Sequence, residues 1–209
     1  GHLYIASTAA GPAFEGAGIR CGCASIPGAI DRVEIVHGKL CCHTIGGNKA
    51  AGICGSGLID AVAAALERGS LNERGKILTE DGLIHLTDSI YLTQEDIRQV
   101  QLAKGAIAAG IQLMANHIGI PLSGIQRVFL AGAFGTYMNP KSACRIGLLP
   151  KELEGKITAV GNAALSGAIL LACDAPAPER AQKIVETTET LELGTMPEFP
   201  RCFARNMRF

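Results

Sequence analysis

The chain has 209 residues, 48% of them hydrophobic and 18% charged, with 26 glycines, few aromatics and no tryptophan, so a sizeable core must be filled by Ala, Ile, Leu and Val. Its 19 basic and 19 acidic side chains cancel, which argues against a broad electrostatic surface for nucleic acid. No apolar run reaches the roughly 18 residues of a membrane span and no secretory signal opens the chain, so a soluble cytoplasmic protein is expected.

Residues 3–6 read as a strand with no earlier element to pair with it. A run of small residues around Phe14 and Glu15 follows. Residues 30–36 and 39–45 form an antiparallel hairpin about His37-Gly38. Gly52-Ile-Cys-Gly-Ser-Gly57 opens a helix over 58–67, on which Leu58, Val62 and Ala65 recur at helical spacing and which Gly69 stops. Residues 70–90 are loop with short strands. Thr93-x-x-Asp96 predicts a capping box for a long helix over 94–118. Its stripe of Ile97, Val100, Ile107, Ile111, Met114 and Ile118 is interrupted by Lys104. Then come a strand at 127–131, a helix opened by Asn139-Pro140 as cap and first position, a buried strand at 157–160 and a helix from Gly161-Asn162 to Cys173. A helix at 179–186, a strand at 190–193 and an apolar tail docked on the body complete the order. Helices alternating with short apolar strands predict an α/β fold, a mixed sheet covered by helices.

The segment Val128-Phe-Leu-Ala-Gly-Ala-Phe-Gly135 is the most informative. An apolar strand ends in small residues, which lets backbone approach a ligand, at the strand end where α/β proteins commonly bind nucleotides. An ordinary tight strand-to-helix connection reads equally well. Gly55, Ser56 and Gly57, at a helix N-terminus, suit a phosphate or a close-packed turn with Ser56 as cap. They do not make a Walker sequence. Gly161 to Gly167 is a second small-residue helix start, suited to packing. Lys104 and Gln101 are polar on an apolar helix, so Lys104 reaches a phosphate or adenosine hydroxyl, or snorkels. Glu15 could hold a metal-linked water, meet a partner or cap its turn. The eight cysteines lack C-x-x-C spacing and read as reduced structural thiols. No metal site and no catalytic constellation can be assigned.

The order of these motifs is more specific than any one. Ser7-Thr-Ala-Ala-Gly-Pro-Ala-Phe-Glu-Gly16, Pro27-Gly-Ala-Ile30, Gly52-Ile-Cys-Gly-Ser-Gly-Leu-Ile-Asp60, Gln101-Leu-Ala-Lys-Gly105, Leu130-Ala-Gly-Ala-Phe-Gly135, Ile146-Gly-Leu-Leu-Pro150 and Gly161-Asn-Ala-Ala-Leu165 together resemble the C-terminal part of the ATP-dependent reductive activators of corrinoid proteins. The resemblance covers nearly the whole chain. It implies an RNase-H-like mixed sheet flanked by helices, the second half of an actin-like, sugar-kinase-like ATPase of the ASKHA superfamily. It also implies ATP and Mg as ligands and a corrinoid protein as partner, with Co(II) corrinoid reduced to Co(I). On that mapping Gly132, Ala133 and Gly135 form the adenosine turn, and Gln101 and Lys104 border the adenosine. Gly55, Ser56 and Gly57 are nucleotide candidates, and Ser7, Thr8 and Glu15 are candidates for partner contact.

The chain departs from the family in two respects. It holds no ferredoxin-type cysteine cluster and no Asp-x-Gly-Thr phosphate hairpin, which the family would carry just before residue 1. Residues 1–209 are therefore expected to be a single C-terminal ATPase-type domain of a longer chain. The two-iron two-sulfur cluster would lie in a ferredoxin-like region further upstream. Such a piece should bind nucleotide weakly and reduce nothing by itself. A docking module for a corrinoid partner that turns over nothing is the alternative. A sugar or acyl kinase is disfavoured by the lack of a sugar-binding carboxylate set. The resemblance leaves a homodimer open.

Overall fold

Glycine at two positions lets the central helix sit against backbone. The computed structural model describes residues 2–209. Its helix α1 (Gly55–Glu67) is buried from Gly55 through Leu66. It lies across β2 (Ala29–Val36), which pairs antiparallel with β3 (Lys39–Thr44) and parallel with the short β4 (Gly52–Ile53). A Cβ on Gly57 would stand 2.2 Å from the Ile30 carbonyl oxygen, and one on Gly55 2.0 Å from that of Phe14. Only residues without a side chain permit these approaches. The β2–β3 turn has positive φ at both His37 and Gly38, 49° and 75°, as a two-residue hairpin loop of matching twist requires.

Two strands, β5 (Ile84–His85) and β6 (Tyr91–Leu92), pair briefly before α2 (Gln94–His117). The capping box forms as expected. The Thr93 hydroxyl accepts from the Asp96 N–H at 3.2 Å, and the Asp96 carboxylate accepts from the Thr93 N–H at 2.7 Å. β7 (Val128–Ala131) pairs in parallel with β8 (Ile157–Gly161). Between them lie two short helices, α3 (Gly132–Tyr137) and α4 (Pro140–Arg145), the second capped by the Asn139 side chain. α5 (Ala163–Cys173), α6 (Ala177–Glu186), β9 (Thr188–Leu191) and α7 (Phe199–Asn206) complete the chain. β9 is the partner that strand β1 (Leu3–Ala6) lacked in sequence: the two pair in parallel, Leu3 opposite Thr188. β9 starts two residues before the expected strand, because register with β1 rather than local pattern fixes it. α7 packs on α2, so the apolar tail docks as its spacing suggested.

The structure is mixed α/β, and its sheet consists of four separate hydrogen-bonded pieces among the described residues, ordered β1-β9, β3-β2-β4, β5-β6 and β7-β8. The main core runs through α1, β2, the first half of α2 and residues 138–149. A smaller one gathers Leu113, Leu191 and Leu193. α5 buries none of its residues although it is apolar all round, and Leu165 and Leu170 are each 56% exposed. A helix of that composition ordinarily lies inside a core.

Candidate functional site

Three segments far apart in sequence meet in one hollow of about 240 Å3. A 3₁₀ turn at Ala13–Glu15 supplies Phe14 and Glu15, the start of α1 supplies Cys54, Gly55 and Ser56, and α3 supplies Ala133, Phe134 and Tyr137. Cys23 closes one side because residues 21–23 run beside β4, with the Cys23 N–H donating to the Ile53 carbonyl at 2.9 Å. Phe14 and Phe134 stack with ring centroids 5.4 Å apart and planes 20° from parallel. Their exposed ring surface, with Tyr137 73% exposed beside them, offers a platform for a flat heterocycle.

Backbone supplies part of the polar side of the hollow, beside Glu15 and Ser25. Residue Cys54 precedes α1 in extended conformation and no side chain caps the helix, so its first N–H groups and the positive end of its dipole are left to a ligand or water. Ser56 is not the cap that the sequence allowed. Its hydroxyl donates to the Asp31 carbonyl at 2.9 Å, which ties α1 to β2. The Cys23 thiol is pushed up by burial and then by neighbouring Cys54, so it stays protonated at neutral pH.

The bend after Ala131 is a six-residue helix rather than an open turn. Gly132 has φ +87° with nothing within 4 Å of a Cβ built on it. Glycine serves backbone conformation there, and the space beside it is open. Gly135 serves packing, since a Cβ would lie 3.0 Å from that of Leu130.

The hollow therefore gathers Glu15, Gly55, Ser56 and Ala133, with Gly132 and Gly135 in the same short helix and Gly57 one step deeper against Ile30. Gln101 and Lys104 line none of it. The Gln101 amide donates to the Arg74 carbonyl at 3.1 Å and packs on Gly75. Lys104 donates to the Arg208 carbonyl and lines another hollow, which shares no residue with the first. Both turn away because α7 and the 74–75 loop pack on their faces of α2. Thr8 also lies apart, its methyl against Gly110 of α2, while Ser7 is exposed at the end of β1. Sequence reasoning passed over Phe14, Phe134 and Tyr137. The signal was available, since a chain with 4% aromatics spends three of them here.

A larger hollow of about 730 Å3 is bounded by α1, β2 and α4. Asp60 of α1, 3% exposed, lies in its wall. One carboxylate oxygen accepts from the Val33 N–H at 3.3 Å and the other is buried with no partner. Burial pushes this carboxyl above the usual carboxylate range, and the Ser142 hydroxyl and Val33 N–H offset part of that.

All eight cysteines are free, and among the described residues no three His, Cys, Asp or Glu are grouped to hold a metal ion. Glu15 is the one carboxylate in the smaller hollow. One carboxylate alone does not hold a magnesium ion, which would need water and phosphate oxygens as well.

The family model that matches is the C-terminal domain of RACo, the ASKHA domain, over residues 1–209. The chain is 35% identical over 232 aligned residues to the corrinoid activation enzyme RamQ of Eubacterium limosum, with 99% of this chain and 39% of that protein covered. It is 31% identical to the [Co(II) methylated amine-specific corrinoid protein] reductase of Methanosarcina barkeri, covering 78% of this chain and 34% of that one. Among solved structures it superposes on a reductive activator for corrinoid, iron-sulfur protein with a TM-score of 0.86 and 34% identity, over 98% of this chain and 36% of that chain. The chain thus spans well under half the length of these relatives.

Proposed function

We infer the function from kinship: the chain belongs to the family of RACo C-terminal ASKHA domains. We propose that it is the nucleotide-binding half of an ATP-dependent activator that returns Co(II) corrinoid to Co(I) in a corrinoid protein. Support comes from relatives named for acting on corrinoid proteins and from one geometric observation. The turn at Ala13–Glu15, the uncapped start of α1 and the small-residue helix after β7 share a single hollow.

In this reading the purine lies against Phe134 and Phe14, and stacking of this kind contributes about 1–3 kcal/mol per base. The backbone at Gly132 and Ala133 admits the sugar, because no side chain fills that space. The first N–H groups of α1 hold a phosphate oxygen. Glu15 orients water near that phosphate. ATP supplies the free energy when bound, and magnesium and the electron come from groups outside these residues, the electron from an iron–sulfur domain. Magnesium adenosine triphosphate titrated calorimetrically into the native, Gly132→Val and Phe134→Ala proteins tests this. Binding by the native protein that both variants weaken at least tenfold supports it, and equal affinity in all three removes this hollow from the site.

A second reading, a docking module that turns over nothing, draws on the exposed apolar face of α5. Capture of a purified corrinoid protein with and without ATP separates the two. Capture indifferent to ATP, with no ATP binding, favours docking.

A further inference from the structure

A buried ammonium ordinarily has a carboxylate beside it, because taking the charge out of water costs several kcal/mol. Lys104 is 1% exposed, yet among the described residues it forms no ion pair. Its Nζ donates to the Arg208 carbonyl and lies 5.5 Å from the centre of the Phe209 ring. That carbonyl satisfies one of three N–H donors and none of the charge. Gly147, at φ +69°, passes beside the ammonium, and a Cβ there would come within 3.1 Å of Nζ. The missing side chain keeps the approach open.

The approach leads into a hollow of about 430 Å3. Arg145 from the end of α4, Lys151, Arg205 from α7, and Arg208 line it, against one acidic side chain, Glu152. None of these five makes an ion pair among the described residues. Cations converging on a hollow with low-dielectric walls focus a positive potential inside it. The guanidinium forks match tetrahedral oxyanions, which take paired N–H donors. The space exceeds a bare oxyanion, and Leu122, Leu149, Pro150 and Phe209 give it an apolar side.

We propose that this hollow binds a phosphate monoester, its phosphate held by Lys104, Arg145, Lys151, Arg205 and Arg208 and its organic part lying against Phe209. The site is separate from the one at Ala133, so it stands whether or not that one binds nucleotide.

Lys104 gives the site a titration signature. Burial brings its pKa down to about 8, and a dianion beside it would raise that value again. Binding should then be constant between about pH 7 and pH 8, where the phosphate is already a dianion, and weaken as pH rises further, as the free protein loses the proton that the complex keeps. The other groups facing Lys104 are the arginines, Lys151, Glu152 and Cys144, whose thiol burial pushes up. Lys104→Met tells which group titrates.

The test is calorimetric titration of the chain with phenyl phosphate, inorganic phosphate and phenylacetate at pH 7 and pH 9. Saturable binding of phenyl phosphate is expected, tighter than that of inorganic phosphate and much tighter than that of phenylacetate. Arg205→Ala, a change at an exposed residue, should weaken it several-fold. Lys104→Met should weaken it at least tenfold and abolish the difference between pH 7 and pH 9. Absence of saturable binding overturns the proposal. So does phenyl phosphate affinity that neither variant changes, or equal affinity for phenylacetate. Magnesium adenosine triphosphate serves as the control: its loss in Gly132→Val but not in Lys104→Met separates failure at one hollow from failure at the other.

Discussion

Replacing Gly55 with alanine tests whether the glycines at the start of α1 serve close packing. The new Cβ would lie 2.0 Å from the Phe14 carbonyl oxygen, 2.9 Å from its carbon and 3.0 Å from Cε2 of Phe134. Relaxed carbon-to-oxygen contacts begin near 3.3 Å, so the turn at Ala13–Glu15 must retreat by roughly 1.3 Å. The obstacle is backbone, which has no rotamer to escape into. Overpacking of this kind costs about 1–3 kcal/mol, while alanine returns up to about 1 kcal/mol of helix propensity. A net loss of about 1–2 kcal/mol lowers the melting temperature by a few degrees, at roughly 2–4 °C per kcal/mol for a chain of this size. The displaced groups are two walls of the hollow, so magnesium adenosine triphosphate affinity should fall along with stability. Thermal unfolding by circular dichroism, with titration on the folded variant, measures both. An alanine variant that melts and binds like the native protein would refute the packing argument.

Gly132→Ala should behave differently, since the space is open and only the left-handed backbone is strained; a loss of about 1 kcal/mol in thermal melts is expected. For Asp60→Asn the melting temperature should rise at neutral pH. A carboxyl whose folded pKa is raised lends stability below its unfolded pKa and loses it as pH climbs through the folded one, so melts from pH 3 to 7 should flatten in the variant. Lys104 has the opposite sign. Between about pH 8 and its ordinary 10.5 the unfolded chain binds the extra proton, so native stability rises with pH by a few kcal/mol at most, and Lys104→Met should remove that rise in urea melts. Leu170→Glu, on the exposed face of α5, should leave melting within about 0.5 kcal/mol while, on the docking reading, reducing capture of a purified corrinoid protein.

Local chemistry was the legible part of the sequence. The Thr93 box, the Asn139-Pro140 start and the His37-Gly38 turn lie where their residues required, because each is decided within a few positions. Pairing across the chain was not legible. Nothing near Leu3 announces that its partner is Thr188, and short apolar strands carry no register of their own. The glycines of the 52–57 segment suit a ligand cradle or a tight turn equally in sequence. Gly55 and Gly57 turn out to meet the carbonyls of Phe14 and Ile30, contacts that no local pattern encodes. Lys104 stands out in the sequence as a cation on an apolar helix face, and it is buried. Its surroundings depend on how α7 folds back over α2, which helical spacing cannot specify.

A purine nucleotide is proposed to occupy the hollow that Phe14 and Phe134 line together. The chain has six phenylalanines, so fluorine NMR of protein labelled with fluorophenylalanine resolves the question residue by residue. Addition of magnesium adenosine triphosphate should move the Phe14 and Phe134 signals saturably and leave Phe199 and Phe203 unmoved. Shifts confined to Phe209, beside Lys104, or no shift at Phe134, would contradict it.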